Sequence, residues 1–133
     1  MIAPSPWSTT RRPSAKQLRS GEERIVKSTA DVKAGICLHT TAVTAETSDG
    51  RAVDFTLETT CDNVQRMAAL LEAAPAVDAY KEIDPRTDSA VLAMGHEARC
   101  CTDCVVPVSA LKAMRVATGL ALPAPVAVDL VEG

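Results

Sequence analysis

The chain has 133 residues, a formal net charge of −3, 47% apolar residues and only 2% aromatic ones. That is the size of one domain with a modest, mainly aliphatic core. It carries no basic stripe with interleaved aromatics, so nothing points to nucleic acid as a partner. No apolar run reaches the roughly 18 residues that a membrane-spanning helix needs.

Residues 1–23 read as a disordered N-terminal extension, because Pro4, Pro6 and Pro13 interrupt a polar, aperiodic run. Residues 24–133 read as a single cysteine-containing domain. The start shows no apolar h-region behind its charges, so no secretory signal is expected and the cytoplasm is the expected compartment. Thiols stay reduced there, and the odd count of five cysteines argues against a paired disulfide framework.

Order is expected from about Arg24, with Val26, Ala30 and Val32 on a first strand. Two extended, Thr- and Val-rich segments follow, 36–47 and 51–61, joined through Ser48-Asp49-Gly50. A three-residue loop with Gly50 in the left-handed position pairs Val43 with Phe55 and Ala45 with Val53, which gathers the apolar residues on one face. The same register sets Cys37 opposite Cys61 and His39 opposite Thr59. Cross-strand Cβ atoms lie about 4.5–5.5 Å apart, which suits two ligands of one centre.

Asp62 followed by Gln65 resembles a capping box, and Val64, Met67, Leu71 and Ala74 recur at helical spacing up to Pro75. Cys61 therefore sits at a helix start, where partial positive charge favours a thiolate. Residues 76–83 suggest a short helix with Val77, Tyr80 and Ile83 inward, and 84–88 a turn. One or two helical turns are expected within 89–98. A last helix runs from about Val108 to Thr118, with Pro107 near its start and Gly119 as its stop. Val126, Val128 and Leu130 alternate as a final strand. The expected fold is α+β: a two-layer sandwich with a small, mainly antiparallel sheet packed by two main helices.

Three of the five cysteines fall within Cys100-Cys101-Thr102-Asp103-Cys104. Cys101 and Cys104 form a C-x-x-C, whose single turn can present two sulfurs to one ion just ahead of a helix. Two thiolates from the hairpin and two from this loop make the preferred ligand set Cys37, Cys61, Cys101 and Cys104. Cys100, His39 and His96 are further candidates, although histidines in such places are more often hydrogen-bonded surface residues than ligands. Four thiolates suit either zinc or an iron–sulfur cluster. Zinc ribbons usually pair two C-x-x-C knuckles, so one knuckle plus scattered cysteines fits a cluster better. No Ser-His-Asp set, paired carboxylates or phosphate-cradling loop is evident, so no catalytic motif lies outside the cysteines.

Gly35-Ile36-Cys37, Thr59-Thr60-Cys61, Cys101-Thr102-Asp103-Cys104-Val105-Val106-Pro107 and Gly119-Leu120-Ala121-Leu122-Pro123 resemble a small uncharacterised family of cysteine-containing proteins from anaerobic bacteria and archaea. The resemblance covers about residues 25–131. It implies the four-cysteine set and no activity. Three functions compete: a metal-binding protein in electron transfer, cluster handling or regulation, a thiol/disulfide redox protein using the C-x-x-C pair, and a structural or protein-binding module with incidental cysteines.

Overall fold

The computed structural model describes residues 24–133; the extension expected over residues 1–23 lies outside the described residues. Four strands, β1 (Val26–Lys33), β2 (Thr40–Thr47), β3 (Ala52–Thr59) and β4 (Val77–Asp78), form one antiparallel meander in that order. Helix α1 (Asp62–Ala73) follows β3, a single turn α2 (Ala79–Glu82) follows β4, and α3 (Ala90–Glu97) leads to α4 (Val106–Ala117). The fold is the expected α+β sandwich: α1 packs on β3, α4 lies across β1 and β2, and α3 bridges α1 and α4.

The core follows from periodicity. Val32, Val43, Ala45, Val53 and Phe55 line one face of the sheet, while Val64, Met67, Leu71, Ala110 and Met114 face it from the helices. With so few aromatics, close helix approach replaces bulk. Gly95 is where α3 meets α4: a Cβ there would lie 2.8 Å from Cγ of Pro107, so only glycine admits this packing.

The β2–β3 register differs from the expected one by two residues. Val43 pairs with Leu57, Ala45 with Phe55 and Thr41 with Thr59. A shift of two leaves every side chain on its face, so the apolar pattern could not detect it. Loop chemistry decides instead. The Asp49 carboxylate accepts from the Arg51 and Ala52 backbone N–H groups, and the Thr47 hydroxyl accepts from that of Gly50. This holds a wider loop, and the start of β3 turns to pair with β4 through Ala52–Asp78 and Val53–Val77.

Other expectations change as well. The segment after Pro75 opens with β4 before its one helical turn, and its inward residues are Val77, Ala79 and Glu82. Tyr80 is exposed beneath the Arg51 guanidinium, 5.0 Å from its ring centroid, and Ile83 is exposed too. Glu82 is buried because its carboxylate accepts from the Ala90 and Val91 N–H groups and the Ser89 hydroxyl, which caps α3. The Asp62–Gln65 capping box does not form: Cys61 is the N-cap of α1 and no side chain caps it. The final strand is absent, since residues 121–133 carry no regular element.

Candidate metal site

Thiols from three distant parts of the chain lie at one end of the sandwich, close enough for electrostatic influence on one another. The first part is the β1–β2 turn. Gly35 and Leu38 both take left-handed backbone, with φ of 93° and 63°, and the Leu38 N–H closes the turn onto the Gly35 carbonyl at 2.9 Å. Cys37 sits on this turn, exposed, between the exposed Ile36 and Leu38. It has left the strand, so it does not pair across from Cys61.

The ladder instead continues through Thr60, whose N–H donates to the Thr40 carbonyl at 3.2 Å. Continued one step further, that register brings His39 opposite Cys61. Nδ1 of His39 lies 3.0 Å from the Thr60 hydroxyl, which holds the ring beside the end of β3. Cys61 itself is half-buried at the start of α1, with its N–H donating to the Thr59 hydroxyl.

The third part is the loop between α3 and α4. Helix α3 ends in a Schellman motif: the Arg99 N–H donates to the His96 carbonyl and the Cys100 N–H to that of Gly95. Arg99 takes the left-handed position at φ 65°. This turn folds Cys100 back against the core. The Cys104 N–H then donates to the Cys101 carbonyl at 2.9 Å, which closes the C-x-x-C turn and leaves Cys101 exposed and Cys104 half-buried. His96 is exposed on the last turn of α3.

The five cysteines are unpaired. Cys61, Cys100 and Cys104 pack against the core, whereas Cys37 and Cys101 ride on exposed turns. Burial pushes the Cys104 thiol up. The Val106 N–H at the start of α4 bonds to it and pulls it down, and the neighbouring Cys101, Cys61 and Cys37 raise it further. Burial likewise raises Cys100, with Cys104, Cys61 and Cys101 adding to the effect and Arg66 opposing it. Every cysteine is therefore within electrostatic reach of this cluster. Among the described residues, however, no three His, Cys, Asp or Glu side chains are arranged to hold a metal ion as they stand. Ligation by sulfur alone would match zinc or an iron–sulfur cluster, and the thiols would have to move closer to one another to provide it.

One contributor escaped sequence reading. Arg66 on α1 reaches across to the Ala98 carbonyl and the Asn63 side chain, tying α1 to the end of α3 beside Cys100. Cys100, a further candidate in the sequence, is more deeply seated than Cys37 or Cys101. The signal for Cys100 was its place directly after a helix end; Arg66 offered none, because its role depends on the α1–α3 crossing.

A family model matches residues 28–130, a stretch that includes all five cysteines. The chain belongs to DUF6951, a family of unknown function. No curated protein and no solved structure matches it. The match runs from within β1 into the tail beyond α4, and DUF6951 carries no activity with it. Among the described residues, no helix is long and apolar enough to cross a membrane.

Proposed function

We propose that the protein holds a soft metal centre at this pole, an iron–sulfur cluster in the first place and zinc in the second, and acts in the cytoplasm in electron transfer, cluster handling or regulation of a protein partner. The observation that carries this reading is the gathering of thiols from residues 37, 61 and 100–104 around the N-termini of α1 and α4. Cys61 and Cys104 would be the fixed ligands, Cys37 and Cys101 the ones brought in by their turns, with Cys100 the alternate. A cluster bound there would supply one-electron chemistry, and zinc a structural tie.

The positive charge of a metal would offset the burial and, after it, the mutual repulsion that raise Cys100 and Cys104. The exposed Ile36 and Leu38 would shield it from water once their turn closed. A thiol/disulfide function is less well supported: reactive thiols are held below the ordinary range, and burial pushes Cys104 above it.

Anaerobic purification or reconstitution of the full chain, followed by iron, zinc and sulfide analysis and a visible spectrum, tests the proposal. Bound metal is expected, and it should be lost in Cys61→Ser/Cys104→Ser with the fold retained. Protein that stays colourless and takes up neither metal after reconstitution would end this reading.

A further inference from the structure

Nε of Arg66 donates to the Ala98 carbonyl at 3.1 Å, and Nη2 of the same guanidinium donates to the Asn63 side-chain oxygen. Asn63 stands two residues after Cys61, and Ala98 stands two residues before Cys100. One side chain therefore links the two segments that carry these thiols, the first turn of α1 and the end of α3.

An arginine at a helix C-terminus has an ordinary use. The last carbonyls of a helix lack intrahelical partners, and a cation there offsets the helix dipole. For that use the bond to Ala98 would suffice. The accepting peptide, however, lies between Ala98 and Arg99, and turning it is the same motion as changing the Arg99 φ of 65°. A left-handed arginine persists only where its surroundings hold it, and Arg66 holds that peptide directly. The same turn seats Cys100 against the core, with its N–H on the Gly95 carbonyl at 3.1 Å. The other end of the clamp is on α1, whose N-cap is Cys61.

Charge points the same way. Four thiolates around a zinc ion leave a net negative charge, and so do four thiolates around an iron–sulfur cluster. Among the groups that shift Cys100 and Cys104, Arg66 is the one cation. A guanidinium is weakly hydrated, which suits it to a place beside such a centre.

We propose that Arg66 is a positioning residue of the thiol site: through Asn63 and Ala98 it fixes the spacing of Cys61 and Cys100, and its charge balances the anionic centre that the site holds. The charge-balancing half rests on the metal reading above, and the clamp does not.

Arg66→Met removes the clamp and the charge. Arg66→Lys keeps the charge, but an ammonium lacks the fork that reaches two acceptors at once. In the reduced, metal-free full chain, amide exchange at Arg99 and Cys100 should speed up by about tenfold in both variants, with circular dichroism unchanged. Affinity for zinc ion, read by competition with a chelating indicator, should fall by about 10- to 100-fold in Arg66→Met and recover in part in Arg66→Lys. A purely structural arginine would leave zinc affinity where it was. Unchanged exchange in both variants overturns the clamp, and parent-like zinc affinity in Arg66→Met overturns the role in the site. A parent chain that binds no zinc removes the charge-balancing half, and the exchange rates then decide the clamp alone.

Discussion

Helices α3 and α4 end in the same hydrogen-bonded motif, but α3 puts Arg99 in the left-handed position and α4 puts Gly119 there, at φ 65° and 78°. The helix starts show the same division. Asp78 caps α2, and Ser89 with Glu82 caps α3. The N-cap residues of α1 and α4, Cys61 and Val105, supply no side-chain cap, and Cys104 lies just upstream of α4. Away from the thiols, ordinary glycines and oxygen caps meet the backbone's demands. At the thiol pole Leu38 and Arg99 strain the backbone and sulfur stands where a cap oxygen would be. Strain and missing caps that cluster at one place are characteristic of a site held for something other than stability.

The contrast is sharpest at Glu82. Glu82→Ala would leave two buried N–H groups of α3 without a partner and should destabilise the fold by about 3 kcal/mol in urea denaturation. A loss below that of an ordinary surface substitution would mean that this cap contributes little.

Gly119→Ala meets no atom within 4 Å, so its cost is conformational alone. About 1 kcal/mol of destabilisation is expected. The mirror substitution, Arg99→Gly, should stabilise by about 0.5 kcal/mol, because relief of strain is partly offset by unfolded-chain entropy. If Arg99→Gly destabilises instead, the arginine side chain holds the loop and the strain account is wrong.

Cys61→Ser provides a cap oxygen for α1. In reduced, metal-stripped protein it should raise stability by about 0.5 kcal/mol while lowering metal uptake, and the two readouts together separate stability from site. Loss of stability with metal uptake intact would break the comparison.

The smallest effect concerns pH. Burial and neighbouring thiolates raise Cys100 and Cys104, so the folded chain holds these protons more tightly than the unfolded one. The stability they contribute is complete below the ordinary thiol range and is lost as pH rises through it to the raised values. The urea midpoint of reduced, metal-stripped protein should therefore fall between about pH 8 and about pH 10, and fall less in Cys100→Ser/Cys104→Ser. Equal slopes in the two proteins would show that these thiols are as well solvated as in the unfolded chain.

Much of the fold was legible from local pattern. The β1 segment, α1 ending near Pro75 and α4 between Pro107 and Gly119 all lie where periodicity and end signals put them, because each signal acts within a few residues. The segment around Val126 shows the limit of that reasoning. Its alternation describes a strand's side chains but cannot provide an edge to pair with. Tyr80 and Ile83 were misplaced because one turn of helix carries too little periodicity to fix a face, and the buried Glu82 took the inward position to cap α3.

By itself, the sequence determined which faces of the strands and helices are apolar, where the long helices begin and end, and that the chain is rich in thiols near helix starts. Those properties depend on residue type and local spacing. Only the tertiary structure decided the β2–β3 pairing, since a two-residue shift preserves every face and the choice fell to Asp49, Thr47 and the recruitment of β3 by β4. It also moved Cys37 onto a turn, ran the ladder on toward His39 and Cys61, and seated Cys100 with Cys61 and Cys104. Those outcomes come from backbone turned at Leu38 and Arg99 and from the crossing of α1 and α3, contacts between segments that no local pattern encodes.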